Sequence, residues 1–146
     1  MYIVSYMMRI IAGNAGGWLL AIKGIACMIT HVKFVNIPTR NQDVALAFYT
    51  EKLRFKVITD QPYDDKQRWI ELRIDGSETR IVLFTMDETR IGSFFNGALA
   101  CDNVEKTYQE LKERGVKFVS APRQEEWGSF AVFEDPDGNK FVLSSR

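Results

Sequence analysis

A chain of 146 residues, 46% of them hydrophobic, is long enough for one domain with a buried core or for two small modules that share one. Its 19 basic and 19 acidic residues give a formal net charge of zero, so neither a nucleic acid nor an anionic membrane is an expected partner. The two cysteines, Cys27 and Cys101, are too few for a disulfide framework and are typical of reduced thiols in a cytoplasmic protein.

The first 28 residues differ from the rest and are predicted to form an apolar N-terminal extension. They carry only two charges, Arg9 and Lys23, and a glycine-rich break at residues 13–17. A membrane-spanning helix needs about 20 consecutive apolar residues, and a signal peptide needs charge first and an uninterrupted apolar run after it. Neither pattern fits. We expect a segment that is partly ordered or docked on the domain, with Met28 as an alternative start.

The chain from Ile29 onward begins with a strand, a helix and three more strands. A strand-like run covers residues 31–39, and Asn41 can cap a helix over residues 42–53. The helix carries an apolar stripe at Val44, Ala45, Ala47, Phe48 and Leu53. The three strands are predicted over residues 55–60, 68–74 and 79–85.

The second half repeats this order. A strand over residues 94–102 precedes a helix that Asn103 caps and Gly115 ends, and three strands follow, over residues 116–120, 128–134 and 140–144. The two caps stand 62 positions apart (103 − 41). This repeat predicts two β-α-β-β-β modules, about 29–90 and 91–146, whose inner faces meet around a cleft.

The last two strands are joined by the turn sequence Asp-Pro-Asp-Gly-Asn at residues 135–139. Proline fixes φ, glycine allows a positive φ, and the Asp and Asn side chains can bond backbone groups. The density of turn signals predicts a hairpin that sets the register of the last strand.

The double β-α-β-β-β pattern, "AFYTEKLRF" after the first strand and "DPDGN" before the last resemble the vicinal oxygen chelate superfamily. This group includes glyoxalase I, extradiol dioxygenases, fosfomycin resistance enzymes and bleomycin resistance proteins. The resemblance covers residues 29–146. It implies an α+β fold in which the two modules form a cupped, eight-stranded mixed sheet around a ligand cleft.

Arg54 departs from the family pattern at the end of the first helix. The family usually has glycine there, in the Leu-Gly-Phe sequence, because that residue takes a left-handed conformation. If Arg54 takes the same conformation, it carries a modest strain.

A second departure concerns the metal that catalytic members of the superfamily bind with His or Glu side chains on four strands. The spacing of the family motifs implies that the corresponding positions here are Phe34, Val82, Asn96 and Val142. One amide among apolar side chains is a poor site, so no metal, no cofactor and no catalytic residue are predicted. The single histidine, His31, lies three positions before Phe34 and on the opposite face of the strand, which favours a surface or edge position.

Strand alternation extends the predicted ligand-binding set beyond the metal positions. In the third strand, either Trp69 and Glu71 or Ile70 and Leu72 face inward, and the sequence does not fix this register. Trp127 can cover the cavity or pack, and Glu71 and Arg80 can form a structural cross-strand pair. The predicted ligand-binding residues are Phe34, Asn36, Trp69, Val82, Phe84, Asn96, Trp127, Phe130, Val132 and Val142.

Three functions fit these observations. The favoured one is a metal-independent protein that binds a hydrophobic or aromatic small molecule, similar to the bleomycin resistance branch. The second is an enzyme of the superfamily with displaced metal ligands, acting as a lyase, isomerase or dioxygenase. The third is a structural or interaction module whose aromatic residues fill the cleft. We expect a homodimer, because members of the superfamily commonly pair and the apolar segment Trp18–Ile22 favours burial.

Overall fold

The computed structural model describes residues 28–145. The predicted extension, including Cys27 and Trp18–Ile22, lies outside the described residues apart from Met28. Eight strands and two α-helices follow each other in the predicted order. Their bounds are β1 Phe34–Ile37, α1 Gln42–Ala47, β2 Lys56–Pro62, β3 Arg68–Arg73, β4 Arg80–Leu83, β5 Phe94–Ala100, α2 Val104–Glu113, β6 Lys117–Glu125, β7 Gly128–Glu134 and β8 Lys140–Ser145.

The strands form two four-stranded mixed sheets of identical topology. The first sheet has the order β1-β4-β3-β2, and the second has the order β5-β8-β7-β6. In each sheet the outer pair, β1–β4 or β5–β8, is parallel, and the remaining pairs are antiparallel. The predicted pair of repeated modules and the α+β class are therefore confirmed, with hydrogen bonding confined to two sheets of four strands.

The structure fixes the register of the third strand, β3, which the sequence left open. Ile70 lies opposite Leu83 and Leu72 opposite Ile81, and all four side chains are almost fully buried. Trp69 and Glu71 therefore point to the other face, which we call the open face of the first sheet. The second sheet divides in the same way, because Ala131, Phe133, Phe141 and Leu143 belong to the buried core.

Counted together with the π-helical segment that continues it, the first helix is longer by one residue than the second. Asn41 caps α1, and a π-helical segment, Phe48–Lys52, continues it. From the cap to the residue with positive φ the first module has 13 steps (54 − 41) and the second has 12 (115 − 103). The π-helical segment thus adds one residue to the first helix.

The positive-φ position that follows each helix differs between the modules. In the first module it is Arg54, with φ 64°, and in the second it is Gly115, with φ 77°. Glycine adopts this region without a steric cost, whereas an L side chain does not. Arg54 therefore takes the left-handed conformation of the family's usual glycine, and the strain considered for that case applies.

The buried face of the first helix differs from the predicted stripe. Val44 was predicted to be buried but is 49% exposed. Ala47 is exposed as well. Ala45 and Phe48 are buried as predicted, and Tyr49 joins them at the i, i+3, i+4 spacing of one helical stripe. The prediction missed Tyr49, because a tyrosine that bonds within the core was not counted as a core residue.

The two helices cap each other at their C-terminal ends. Lys52 Nζ donates to the carbonyl oxygens of Arg114 at 2.7 Å and Gly115 at 3.3 Å. In return, Arg114 Nη1 donates to the carbonyl oxygen of Lys52 at 3.1 Å. These bonds satisfy carbonyl groups that a helix end leaves unpaired, and they join the modules.

The hairpin at residues 135–139 is the main polar contact between the modules. Asn139 Nδ2 donates to the carbonyl of Pro38 in the first module at 2.9 Å, and Asn139 Oδ1 accepts from the N–H of Gly92 within the second module at 2.8 Å. The Asp137 carboxylate accepts from the Thr39 hydroxyl and from the N–H of Arg40. The turn therefore fastens the second module to the end of β1, in addition to setting the register of β8.

A buried carboxylate lies at the centre of this hairpin. Asp135 is 6% exposed and accepts from the Tyr49 hydroxyl at 2.7 Å and from Asn139 Nδ2 at 2.8 Å. Burial raises the pKa of Asp135 above its ordinary value, and the bonds from Tyr49 and Asn139 oppose that rise. Burial first, and the Asp135 charge second, raise the pKa of Tyr49 well above its ordinary value.

Two further features of the described residues bear on the sequence predictions. Cys101 is a partly buried, unpaired thiol. Within residues 28–145, no helix has the length and apolar character needed to cross a membrane.

Candidate functional site

The open face of the first sheet carries an aromatic cluster. The rings of Phe34 and Trp69 meet edge to face at 5.5 Å, and Trp69 lies 5.5 Å from Phe84. Tyr63, in the loop before β3, contacts Phe84 edge to face at 4.8 Å. Sequence reasoning missed Tyr63, although an aromatic residue next to a proline in a polar loop was a usable signal.

This cluster is layered. Val82 and Phe84 form its floor, and they are only 1% and 8% exposed. Phe34 and Tyr63 lie on top and are 40% and 61% exposed. The upper rings therefore present apolar surface to solvent, while the floor is closed by the protein itself.

Charged residues continue the open face beside the aromatic cluster. Trp69 Nε1 donates to Glu71 Oε1 at 2.7 Å. Glu71 lies opposite Val82, and Arg80 lies opposite Arg73. The proposed pairing of Glu71 with Arg80 was wrong, because the register places them on a diagonal and no ion pair joins them among the described residues.

The open face of the second sheet is mostly small and apolar. Val142 lies between Ala98 on β5 and Val132 on β7, and Phe130 lies opposite Ser144. Trp127, in the turn before β7, stacks on Phe130 at 5.3 Å with the ring planes 24° apart, and it is 62% exposed. Trp127 thus both packs on Phe130 and offers surface to solvent.

Asn96 stands apart from the other predicted residues of this sheet. The register of β5 shifts between Phe94 and Ala98, so Asn96 has no register partner on β8. Its side chain is exposed. Phe95, the neighbour of Asn96, faces the core by strand alternation and stacks on Phe141 at 5.5 Å.

Comparisons with known proteins agree with this architecture. The family model of the Glyoxalase/Bleomycin resistance protein/Dioxygenase superfamily matches residues 29–143. The chain belongs to this superfamily. The uncharacterized protein YetH of Bacillus subtilis (strain 168) is 33% identical over 118 residues, which cover 80% of this chain and 98% of that protein.

Solved structures of this superfamily share the fold. A member from Sphaerobacter thermophilus DSM 20745 superposes with a TM-score of 0.75 at 30% identity, covering 82% of this chain and 100% of that one. TnmS3, an antibiotic binding protein from Streptomyces sp. CB03234, superposes with a TM-score of 0.73 at 32% identity, covering 82% and 98%. The predicted superfamily is thereby confirmed.

The side chains at the four positions predicted to correspond to the superfamily's metal ligands do not fit a metal ion. Phe34, Val82 and Val142 have no donor atom, and Asn96 offers one neutral amide. Across residues 28–145, no group of three His, Cys, Asp or Glu side chains is placed to hold an ion. A divalent ion needs several oxygen, nitrogen or sulfur donors, so no chemical step is derived through a metal here.

His31 lies before β1, at the edge of the first sheet. Its Nδ1 is 3.6 Å from a carboxylate oxygen of Glu78, and its side chain is 40% exposed. This agrees with the surface position that strand alternation predicted.

The spaces around these faces differ in size. The crevice where the end of β1 approaches β5 has a volume of only about 10 Å³. A groove on the second sheet, lined by Trp127, Ala98, Ala100 and Ser144 among others, has a volume of about 540 Å³. A drug-sized ligand needs roughly 300–1,000 Å³, so the groove at Trp127 is large enough and the crevice is not.

Proposed function

We propose that this protein is a metal-independent binding protein for hydrophobic, aromatic small molecules. The observation that carries the proposal is the exposed aromatic surface of Phe34, Tyr63 and Trp127 at the open faces of the two sheets. Exposed aromatic clusters are favourable surfaces for stacking with an organic ligand. The described residues assigned to binding are the predicted set with Tyr63 added, and Asn96 is its least supported member.

The relatives support a binding role. TnmS3 is an antibiotic binding protein, and it matches this chain at 32% identity over nearly its whole length. A fold shared with a ligand-binding relative does not fix the ligand, so the class proposed here rests on the aromatic character of the open faces.

We also propose that the binding unit is a homodimer. In a single chain the crevice between the modules is too small for a ligand, while the open faces present apolar residues to solvent. A second copy placed against an open face would bury those rings and enclose a cleft. The zero net charge supports a small-molecule role over a nucleic-acid one, and the unpaired thiol of Cys101 supports a cytoplasmic location.

The direct test is saturable binding of an aromatic probe. N-phenyl-1-naphthylamine, a neutral fluorescent probe, should bind wild type, and Phe130→Ala should weaken it by about fivefold or more, since a ring in the wall is worth about 1 kcal/mol. Val44→Ala, which removes an exposed apolar side chain from α1, is the matched control and should bind like wild type. No saturable signal with wild type would sink the proposal.

Two alternatives have distinct signatures. A filled-cleft module is favoured by the closed floor of Val82 and Phe84, and it predicts that no aromatic probe binds. An enzyme with displaced ligands predicts about one equivalent of zinc, nickel, manganese or iron in protein purified without a histidine tag, with a loss of melting temperature in EDTA. The binding proposal predicts no stoichiometric metal and no effect of EDTA.

A further inference from the structure

Two arginines stand directly opposite each other on the open face of the first sheet. Arg73 on β3 pairs in register with Arg80 on β4, and Arg80 pairs in turn with Phe34 on β1. Like charges placed directly opposite in a sheet are destabilising. Among the described residues, neither arginine forms an ion pair.

Both guanidinium groups contain a buried nitrogen that lacks a partner. Arg73 Nε and Arg80 Nη1 are inaccessible to solvent and donate to no group within residues 28–145. Arg68 Nε is buried in the same way, but it lies 3.0 Å from Asp60 Oδ1, and Arg68 Nη2 donates to Asp43 Oδ1 at 2.6 Å. A buried donor with no acceptor and no counter-charge is destabilising, so the nitrogens of Arg73 and Arg80 require an explanation.

The carboxylates near this pair are already in use. Glu71 is the acidic residue on the same face, one pair away, and it accepts from Trp69 Nε1. Lys56 is the register partner of Arg73 on β2, and its Nζ forms an ion pair with Asp75 Oδ1 at 3.0 Å. Asn36, beside the aromatic cluster, has a buried Oδ1 without a donor. Lys56 lowers the pKa of Asp75 most, and the charge of Arg73 lowers it further. This end of the face therefore carries an excess of positive charge, with Lys56, Arg73 and Arg80 beside Asp75 and Glu71.

We propose that Arg73 and Arg80 bind the oxyanion of an aromatic acid whose ring packs on the Phe34–Trp69 cluster. A guanidinium group presents parallel N–H donors that match a carboxylate, sulfonate or phosphate. Phe34 is next to Arg80 in register and 5.5 Å from Trp69, so one ligand can reach both the charge and the ring. The inference rests on the proposed function and narrows its ligand class from aromatic small molecules in general to aromatic acids.

Two probes separate the charge from the ring. 8-Anilinonaphthalene-1-sulfonate is N-phenyl-1-naphthylamine with an added sulfonate group, so the pair differs only in the oxyanion. Arg80→Met should weaken the sulfonate probe by about tenfold or more and leave the neutral probe within twofold. Arg73→Met should act in the same direction, and Arg80→Lys should lose less than Arg80→Met.

Controls fix the origin of the effect. Lys106→Met removes one positive charge from α2, outside the sheet faces, and should bind both probes like wild type. Glu71→Gln keeps an acceptor for Trp69 but removes the nearest negative charge, so it should tighten the sulfonate probe alone. Displacement by 1-naphthoate and by 1-naphthyl phosphate identifies which oxyanion is preferred. Melting curves verify that each variant is folded.

The outcomes distinguish the two proposals. Saturable binding of both probes, unaffected by any change at Arg73, Arg80 or Glu71, would overturn the acid-binding inference and leave the proposed function standing. An equal loss of both probes in folded Arg80→Met would also overturn it. Failure of both probes to bind wild type would overturn the proposed function together with the inference.

Discussion

The corresponding hairpins of the two modules, β3–β4 and β7–β8, have different structural roles. In the first module, the β3–β4 turn around Asp75 and Gly76 is exposed, and a Cβ placed on Gly76 would contact nothing within 4 Å. In the second, Asp135 and Asn139 are 6% and 3% exposed. One turn only reverses the chain, while the other fastens the two modules together.

The difference teaches how to interpret turn sequences. A local reversal needs only one glycine or asparagine with positive φ, as at Gly76, with φ 78°. The sequence "DPDGN" has more polar groups than a reversal requires, and the surplus bonds to residues 86 to 101 positions earlier in the chain. A surplus of turn chemistry thus indicates long-range contacts.

The strongest way to break this contrast is to remove the carboxylate at the centre of the second hairpin. Asp135→Ala leaves the Tyr49 hydroxyl, Asn139 Nδ2 and two backbone N–H groups without their acceptor. We expect a loss of about 3 kcal/mol in the free energy of unfolding, measured with urea. Asp75→Ala, the counterpart in the first module, should leave the urea midpoint unchanged. Equal effects of the two changes would contradict the assignment.

A smaller effect is expected from one bond of the same group. Tyr49→Phe removes the hydroxyl that donates to Asp135 at 2.7 Å and keeps the ring that packs on Phe141. A hydrogen bond to a buried charge contributes about 1.5–3 kcal/mol, so a loss of about 2 kcal/mol in unfolding free energy is expected. Tyr108→Phe is the control, because the half-buried Tyr108 ring packs on Phe118 while its hydroxyl meets only Lys112 Nζ, at 3.4 Å. A similar loss there would refute the special role of Tyr49.

The ends of the helices allow a test in which two changes have opposite signs. Arg54→Gly relieves an L side chain held at φ 64°, and it should raise the free energy of unfolding by about 0.5–1 kcal/mol. Gly115→Ala imposes such a side chain at φ 77° and should lower it by about 1 kcal/mol. Thermal melts of both variants suffice. Shifts of the same sign would show that the left-handed conformations do not control stability here.

The smallest expected effect is on the pH dependence of the free energy of unfolding. Because burial raises the pKa of Asp135 in the folded state, its protonated form is favoured by folding. The contribution of this group is fully present below the ordinary aspartate pKa and is lost as pH rises through the raised folded value. Wild type should therefore gain stability relative to Asp135→Asn as pH falls through that window. Urea titrations at several pH values measure this, and an opposite trend would mean that the hydrogen bonds outweigh burial.

The order of elements and the superfamily were predictable because they depend on local patterns. Alternation, helical stripes, the caps Asn41 and Asn103 and the family motifs are all properties of neighbouring residues. The strained conformation of Arg54 was predictable for the same reason, since the position follows a recognisable helix end. These signals need no knowledge of which strands pair.

The rest of the site depended on distant contacts. The register of β3 is fixed by its pairing with β4, which no local pattern predicts. The same pairing places Arg73, and not Glu71, opposite Arg80. Tyr49 was overlooked because its partner, Asp135, lies 86 positions away. The irregularity in β5 that isolates Asn96 lies beside Gly97, and a glycine within a strand is a local signal of a bulge that sequence reasoning missed.

The hairpin also has a consequence for synthesis on the ribosome. Pro38, Thr39 and Tyr49 emerge early, but the side chains that bond them are translated between 86 and 101 residues later. At roughly 5–20 residues per second, the first module waits about 4–20 seconds with these groups unpartnered. Translation therefore sets a lower limit on how soon the domain can close, and the exposed edge of β1 is the surface that chaperones would need to shield meanwhile.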